Sequence, residues 1–517
     1  MSKYFDSHYD VVVISSGLSA MSLALNLIKE GYKVLLLDQH NLPGGMATSF
    51  IRNDIEYEAS LHQMMSIGSK ACPLRARTYL ESFGVDVDWV KVPTCYRYKD
   101  KDIDIVLHPG VDGDFSIPIK DIASVCNEEG VDSKLQEFFD LCLYVHQTIN
   151  SVNFKKTSKV TMMKKYQKFV QLVGYSYVDV CKAIGLPQRA IDILSAYWIY
   201  LGSPVDELPF IVYGYLLADY IGYGSYIPRH TSYEMALKMH EAIMKMGGQV
   251  ELEQKVEKIL VQNNKAYGVR TSLGEEIYGD IIVSGVFPHI VYDKMIEPST
   301  EITKRMRKVA NSFDIGVSCF SLFLLLDKSP KELNIQDYET FYTPNELNTK
   351  EIFENAKRRD RWDYLTSVCP NIILDNESPE GTCVYSITYL PLGEAFKDVT
   401  LSTYQKYKDE CIEKLLTLES ERLGVNLKDH IIDITVATPL TISRYTNAYL
   451  GSIYGYRHSM KNNVGSRTML YKEEELIKNL YFCGAFGPGG DGMAPAIDNG
   501  RLCSLDIIEN LKKRKNK

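Results

Sequence analysis

Along the first forty residues, apolar and small residues follow a regular order. Residues 10–14 form a short apolar run that is typical of a strand buried on both faces of a parallel sheet. A turn of small residues and a helical stretch as far as Gly31 come next, and a second apolar run, 33–37, ends on Asp38. This order of strand, turn, helix and strand predicts a dinucleotide-binding unit of the Rossmann type.

The turn of this unit predicts contacts with a pyrophosphate through Ser15, Gly17, Leu18, Ser19 and Ala20. Its backbone N–H groups and the helix N-terminus attract anions, and Gly17 lets the backbone approach them. Ala20 is a permitted replacement for the third glycine of the usual motif. Ser15 replaces the first glycine, and serine is less comfortable there if the turn needs unusual backbone angles. The alternative is a fold that has lost its nucleotide.

The residues after the second strand favour FAD over NAD. Asp38 is placed to accept a hydrogen bond from an adenosine ribose hydroxyl, and we assign Gln39 to the same site. A pair of glycines then offers backbone amides to the second phosphate and the ribityl chain of a flavin, unless it is an ordinary loop. The residues that we assign to this contact are Gly44, Gly45, Met46 and Ala47.

Two distant segments complete the predicted site. Near the C-terminus a strand, 479–485, runs through Gly484 into a glycine-rich loop and a helix, 494–511. The dipole of that helix favours negative charge on the reduced flavin. In this loop we assign flavin contacts to Asp491, Gly492 and Met493. Asp491 either accepts from a ribityl hydroxyl or caps the helix.

The middle of the chain predicts the third segment of the site. It reads as a helix, 232–246, a hairpin of 249–261 with 266–270 around Asn263 and Asn264, and a strand, 280–284. Val256 is expected to offer its backbone to the adenine ring.

With these three segments in order, the chain resembles the phytoene desaturase, carotenoid isomerase and retinol saturase group of the amine oxidase-like FAD superfamily. The resemblance covers the segments above and continues through 50–62, 226–283 and 437–455. It implies non-covalent FAD and a long apolar substrate, such as a carotenoid, a retinoid or another polyene lipid. Departures from the usual glycine pattern indicate a divergent branch, and they are Ser15, Ser60, His230 and Thr231.

The expected fold class is α/β: a Rossmann-type FAD-binding domain with an inserted α+β substrate domain. The FAD domain is discontinuous, over 1–75, 225–290 and 440–517, and the substrate domain takes 76–224 and 291–439. The first insertion reads as mostly helical. The second has strand-like runs, 316–326 and 382–389, that suggest a sheet roofing the flavin. No second glycine-rich βαβ unit is evident, so electrons are expected to pass to or from a free reductant, a quinone or oxygen.

Charge and composition exclude several other classes. A net charge of −8 argues against a nucleic-acid partner. Eleven cysteines without a CxxC pair read as free thiols in a reducing compartment, and ten histidines without a ligand-like spacing predict no metal site. Because neither a signal peptide nor a membrane span is evident, we expect a cytoplasmic protein, at most peripherally bound to a membrane.

Three segments bear on that membrane contact. Residues 209–226 are apolar and aromatic with Asp219 as the only charge, and they line a substrate tunnel, dip into lipid or form a buried core helix. Two basic groups either contact anionic lipid or form solvated faces. They are Lys155, Lys156, Lys159, Lys164, Lys165 and Lys168, and at the C-terminus Lys512, Lys513, Arg514, Lys515 and Lys517.

The catalytic candidates are His62 and Arg229. The resemblance places His62 where the isomerase and saturase branch has a histidine, and a histidine exchanges protons near neutral pH. The alternatives are a structural histidine and, for Arg229, an ordinary ion pair. The activity predicted is desaturation or saturation of a polyene. An isomerase that needs reduced flavin, a non-catalytic flavin- or lipid-binding protein and, more remotely, an amine oxidase remain open.

Overall fold

The computed structural model describes residues 5–154, 157–462 and 476–515. Lys155, Lys156 and Lys517 of the predicted basic groups lie outside these residues, as does the side chain of Lys515. Two large sheets, one of eight strands and one of seven, dominate this part of the chain, and two small two-stranded sheets accompany them.

The strands of the described residues follow one another in this order: β1 (Tyr9–Ile14), β2 (Val34–Leu37), β3 (Ser49–Arg52), β4 (Ile55–Glu58), β5 (Trp89–Lys91), β6 (Tyr96–Lys99), β7 (Asp104–Leu107), β8 (Tyr226–Pro228), β9 (Gln249–Glu251), β10 (Val256–Gln262), β11 (Lys265–Thr271), β12 (Glu276–Ser284), β13 (Ile296–Glu297), β14 (Phe320–Leu326), β15 (Glu339–Tyr342), β16 (Leu365–Val368), β17 (Cys383–Tyr389), β18 (Ile431–Ala437) and β19 (Leu480–Phe482).

The α-helices of the same residues are α1 (Leu18–Lys29), α2 (Arg75–Glu81), α3 (Ser116–Val125), α4 (Val131–Ser151), α5 (Lys159–Lys165), α6 (Gln167–Leu172), α7 (Tyr177–Ile184), α8 (Gln188–Ser195), α9 (Phe210–Leu217), α10 (Thr231–Lys245), α11 (Pro288–Ile290), α12 (Lys304–Ala310), α13 (Thr349–Asn355), α14 (Leu401–Leu423), α15 (Pro439–Thr446) and α16 (Met493–Lys515).

The eight-stranded sheet carries the dinucleotide unit. Its strands lie in the order β13-β10-β11-β12-β1-β2-β9, and β19 also pairs with β12. Strands β9, β2, β1, β12 and β19 run parallel, with Val13 between Leu36 and Val283. Because both faces of β1 are covered, its valines have no exposed surface, which accounts for the uninterrupted apolar run. The predicted α/β fold class is confirmed.

The hairpin predicted in the middle of the chain is correct at its turn and wrong in its first strand. Asn263 and Asn264 have φ angles of 50° and 59°, as a two-residue turn of this kind requires. The expected strand 249–261 is two strands, because β9 pairs in parallel with β2 whereas β10 pairs antiparallel with β11. A chain segment between them crosses from one edge of the sheet to the other.

The seven-stranded sheet lies in the order β18-β14-β17-β16-β15-β6-β7. Strand-like runs were expected at 316–326 and 382–389, and the structure has β14 and β17 there, paired antiparallel with Phe320 opposite Tyr389. All seven residues of β14 are buried. The domain boundaries themselves stay a prediction.

The apolar segment 209–226 is largely buried inside the helical insertion. It forms α9 and a π-helical turn, Ala218–Tyr223, and Asp219 has no exposed surface. The Asp219 carboxylate accepts from Ser66 N (2.8 Å) and Ser66 Oγ (2.7 Å), and His146 Nε2 lies 3.4 Å away. The charge is therefore bound within the protein, and the segment has no broad face left for a lipid surface.

The exposed basic residues do not pack against the core. Lys159, Lys164, Lys165 and Lys168 are exposed, and Lys512 pairs with Glu30 at 2.7 Å. Within the described ranges no helix is both long and apolar enough to cross a membrane.

Asp192→Asn is expected to stabilise the protein at pH 8 and not at pH 4.5. Burial raises the pKa of the Asp192 carboxyl to about 6, against a smaller lowering by the bond from Gln188 Nε2. Folding therefore favours the protonated form of the Asp192 carboxyl. The contribution of this protonated form to the free energy of unfolding is complete below the pKa of the unfolded state and is lost as the pH rises through 6. Urea unfolding at the two pH values should show a gain of about 1–3 kcal/mol only at pH 8.

Asp140→Asn is the control for this measurement. Asp140 accepts from Gln136 four residues earlier, as Asp192 does from Gln188, but Asp140 is exposed whereas Asp192 is half-buried. The control should give the same small change at both pH values. A gain from Asp192→Asn that is independent of pH would contradict the prediction.

Candidate active site

A cavity of about 440 Å³ is lined by residues of both large sheets and of the helical insertion. From the dinucleotide unit come the turn after β1 and the loop after β2, and from the seven-stranded sheet come β14, β16 and β17. Tyr215, Leu216 and Tyr220 from the segment 209–226 also line it. That segment is thus both a buried helix and one wall of the cavity.

The turn after β1 has the features of an anion site. Gly17 is the N-cap of α1 and provides no side-chain cap, so the first N–H groups of the helix lack a partner from it. The Ser19 hydroxyl, in the first turn of α1, is buried without a hydrogen-bond partner in the described structure. Ser15, Gly17, Leu18, Ser19 and Ala20 all line the cavity, and their free donors fit a phosphate.

Ser15 adopts the backbone angle that makes serine a poor replacement for glycine. Its φ is 149°, and its Oγ accepts from Gly17 N at 2.9 Å. The hydroxyl thus takes one N–H of the turn that a ligand would otherwise contact. The sequence predicted that serine fits this position poorly, and the structure nevertheless forms the turn with Ser15 at this φ angle.

The pair Gly44 and Gly45 holds the loop after β2 against the turn after β1. Gly44 has a φ of 114°, and a Cβ there would lie 2.4 Å from the carbonyl oxygen of Ala47, so this position requires glycine. Gly44 N donates to Ser16 O at 3.0 Å. Gly44, Met46 and Ala47 line the cavity, whereas Gly45 lies behind them against Gly17.

The C-terminal loop brings a buried carboxylate to the same cavity. Asp491 Oδ1 lies 2.6 Å from His458 Nε2, and its Oδ2 is buried without a partner in the described residues. Gly484, Gly492 and Met493 line the cavity beside it. An unpartnered carboxylate oxygen can accept a hydrogen bond from a ligand hydroxyl, such as those on the ribityl chain of a flavin. Helix α16 begins at Met493, so Gly492 and not Asp491 occupies its N-cap position.

Four predicted residues lie elsewhere. Asp38 is outside the cavity lining, and its Oδ2 accepts from Ser16 N (2.6 Å) and Ser16 Oγ (2.7 Å). Gln39 and Val256 are outside it too. Arg229, the residue after β8, has a half-exposed side chain that pairs with Asp88 at 2.6 Å. We correct the assignment of Arg229 to catalysis, since the structure supports the ion pair that the sequence left open.

His62 lines the cavity and is held by a buried acid. Its Nδ1 lies 2.9 Å from Oε1 of Glu339, the first residue of β15. Tyr200 Oη donates to the other oxygen of this carboxylate at 2.6 Å, and Glu339 has no exposed surface. Burial, and next the charge of Glu339, raise the pKa of Tyr200 well above its ordinary value, so its hydroxyl remains a donor. An imidazole bound in this way can take or give a proton on its open side.

Glu58 closes the wall between His62 and the glycine turn. It is half-buried, and burial raises the pKa of its carboxyl against the lowering effect of the bonds from Ser232, Leu61 and Ser60. The closest of these is Ser232 N at 2.6 Å, at the start of α10. The carboxyl thereby joins two parts of the dinucleotide unit.

Three residues of the site were not predicted from the sequence: Glu339, Tyr200 and His458. Glu339 and Tyr200 lie far from His62 in the chain and in no motif, so a single sequence carries no signal for them. His458 follows the segment 437–455 that carried the resemblance, and a histidine three residues past a glycine in such a segment was a usable signal.

A family model described as flavin-containing amine oxidoreductase matches residues 186–508, and one described as an NAD(P)-binding Rossmann-like domain matches 13–73. Similar proteins include an all-trans-retinol 13,14-reductase of Danio rerio, 23% identical over 92% of this chain and 82% of that protein. A 4,4'-diapophytoene desaturase (4,4'-diapolycopene-forming) of Methylomonas sp is 20% identical over 98% and 96%, and a chloroplastic prolycopene isomerase of Daucus carota is 21% identical over 97% and 80%.

Solved structures of the same fold cover nearly the whole chain. An oxidoreductase from Methanosarcina mazei superposes with a TM-score of 0.61 at 15% identity, over 96% of this chain and 99% of that one. A putrescine oxidase bound to putrescine gives 0.63 at 11% identity, over 97% and 99%. At these identities the likeness establishes the fold alone.

Proposed function

The chain belongs to the family of flavin-containing amine oxidoreductases, and from that premise we propose that it binds FAD and desaturates or saturates a carbon–carbon bond of a hydrophobic polyene. Its cofactor is a flavin and its substrate a small molecule. The observation that carries the proposal is the position of His62. The histidine lines the same cavity as the glycine turn, the Gly44 loop and Asp491.

FAD as the particular flavin is supported by the anion site at α1. A pyrophosphate fits the free N–H groups after Gly17 and the unpartnered Ser19 hydroxyl. Asp491 would hold a ribityl hydroxyl, and we retain Asp38, Gln39 and Val256 for the adenosine end. The adenosine end would extend beyond the cavity.

The polyene substrate is supported by the relatives and by the wall of the cavity. Phe323 and Val384 from the seven-stranded sheet and Leu390, just after β17, line it together with small hydroxyl residues. Such a wall excludes water from an extended apolar chain. When bound, the flavin would supply a hydride to an alkene carbon in saturation or take one from a saturated carbon in desaturation. The protein orients the substrate, and His62 gives or takes the proton at the neighbouring carbon.

The second candidate is an isomerase that uses reduced flavin without net redox change, and the similarity to prolycopene isomerase is the observation for it. The two activities differ in product mass. A desaturase or saturase changes the substrate by two hydrogens, whereas an isomerase leaves the mass unchanged. The external electron partner is proposed as a quinone, oxygen or a free reductant, and contact with a membrane surface is proposed as peripheral.

The first experiment is an absorption spectrum of the purified protein, followed by acid release and chromatography of the cofactor. FAD at close to one per chain is expected. Polyenes are then screened anaerobically with oxidised and with reduced protein, and product masses are measured. A protein that does not take up FAD would refute the proposal. Peroxide released from amines, with no change in any polyene, would favour an amine oxidase.

Asp491→Asn is expected to weaken FAD binding about tenfold, because the charged acceptor for a ribityl hydroxyl is lost. The dissociation constant can be measured by flavin fluorescence on titration of the apoprotein. Asp498→Asn, on the helix that follows Asp491, is the matched control, since Asp498 pairs with Arg75 and Arg501 outside the cavity. Equal weakening by both variants would assign the effect to the helix and not to Asp491.

A further inference from the structure

Three separate parts of the fold meet at the Glu339 carboxylate. It lies at the start of β15, and it contacts His62 from the loop after β4 and Tyr200 from the helical insertion. Thr366 Oγ1, on the neighbouring β16, lies 3.3 Å from Oε1. Side chains from the loop after β4, from the seven-stranded sheet and from the helical insertion thus surround one acid that has no exposed surface.

A buried carboxylate in this position needs a partner for its charge. Removing an ionised acid from water is costly unless it is paired and hydrogen-bonded. The hydroxyls of Tyr200 and Thr366 supply neutral bonds, and the imidazole of His62 is the basic group in contact with it. The pair therefore suits a proton held on Nδ1, between the ring and Oε1.

The His62 backbone is fixed on both sides of this contact. Tyr338 Oη donates to the carbonyl oxygen of His62 at 2.6 Å. The next residue, Gln63, is buried and donates through Nε2 to Cys95 O at 2.7 Å, and Ser225 Oγ donates to its Oε1 at 2.7 Å. With the backbone held, the ring orientation is set by the bond to Glu339. In the described structure, Nε2 of His62 has no bond to the protein.

We propose that Glu339 is a positioning residue that accepts Nδ1–H of His62 in both protonation states of the ring, so that Nε2 exchanges a proton with the substrate. This inference rests on the proposed function for the identity of the proton acceptor. The part of the inference that concerns the tautomer of His62 does not depend on the substrate.

The proton balance follows from this arrangement. In saturation the N–H bond at Nε2 of the imidazolium breaks and a C–H bond forms, leaving a neutral ring that keeps Nδ1–H. The other alkene carbon gains a hydride, whose two electrons come from reduced flavin that an external two-electron donor regenerates. In desaturation the neutral Nε2 accepts the proton, and the hydride leaves to oxidised flavin.

The first test is the tautomer of His62 by NMR of protein labelled with ¹⁵N-histidine. The signal is assigned by its loss in His62→Gln. In the wild-type protein the neutral ring is expected as the Nδ1–H form, and in Glu339→Gln as a mixture, or mainly as the Nε2–H form. A wild-type ring in the Nε2–H form alone would overturn the proposal, whatever any variant does.

The second test separates positioning from stability. Glu339→Gln is expected to lower kcat about 10- to 100-fold with KM and FAD content unchanged. The reason is that a misoriented His62 ring slows proton transfer and does not affect binding. Tyr200→Phe, which keeps the carboxylate, should lower kcat by a smaller factor. If Glu339→Gln does not fold, Tyr200→Phe and the wild-type tautomer still decide the matter.

Glu419→Gln is the control for loss of a buried carboxylate. Glu419 is as buried as Glu339 but pairs with Arg422 outside the cavity. It should lower stability without changing kcat or the His62 tautomer. An unchanged kcat and tautomer in Glu339→Gln would overturn the proposal. A polyene that is not converted by the wild-type protein would refute the proposed function and leave the tautomer result standing.

Discussion

His62→Gln is expected to lower kcat by about 10² to 10⁴-fold and to leave FAD bound, because proton transfer by a positioned side chain contributes on this scale. Glutamine keeps a polar side chain of similar length but cannot be protonated near neutral pH. Single-turnover rates with a reduced or oxidised flavin give the chemical step directly. The substrate dissociation constant should change little, since the histidine occupies one point of a long apolar wall.

Arg229→Gln is the control, because Arg229 was the other candidate and its side chain lies outside the cavity. It should retain activity within about twofold, as surface ion pairs contribute little. If both variants lost activity equally, the assignment of proton transfer to His62 would be wrong. If His62→Gln released the flavin, the histidine would be a structural residue.

Gly500→Ala is expected to destabilise the protein by about 3 kcal/mol or more, at the upper end of the cost of overpacking. A Cβ at Gly500 would lie 2.0 Å from the carbonyl oxygen of Ser19, which is backbone and cannot rotate away. Helices α1 and α16 would have to separate where α1 presents its N-terminus to the cavity. Urea unfolding and the FAD content of the purified protein should both report the change.

Gly174→Ala is the comparison, because the closest atom to a Cβ there is 3.6 Å away and its backbone is not in the left-handed region. That variant should keep its stability within about 1 kcal/mol. A Gly500→Ala protein with normal stability and one FAD per chain would mean that the helices separate without cost.

The glycine turn shows what a single sequence can predict. A short apolar strand, a turn with Gly17 and a helix form a local unit, so the residues that define it are neighbours in the chain. The resemblance to the desaturase, isomerase and saturase group, which the family match supports, rested on such units. Asp491 was found in the same way, because its loop and α16 are contiguous.

His62 and Glu339 show where that reasoning ends. His62 was named from the resemblance, but the acid that orients it is 277 residues away along the chain. The pairing of β15 with β6 and β16 decides where Glu339 points, and that register is a property of the whole sheet. Arg229 illustrates the opposite case, since its neighbours in the sequence line the cavity but its own side chain, just after β8, pairs with Asp88 at the surface.

The central strands of the eight-stranded sheet have a consequence for the synthesis of the protein. β12 pairs with β1 on one side and with β19 on the other, and β19 begins at residue 480. At about 5 to 20 residues per second, a ribosome needs about 10 to 40 seconds to pass from the end of β12 to the start of β19. During this time the last residues of β12, which pair with β19, have one edge without a partner, which is the situation that favours aggregation and chaperone binding. Because Asp491, Gly492 and Met493 line the cavity and follow β19, the lining cannot be complete before these residues have been made, and a flavin would be bound only after that point of synthesis.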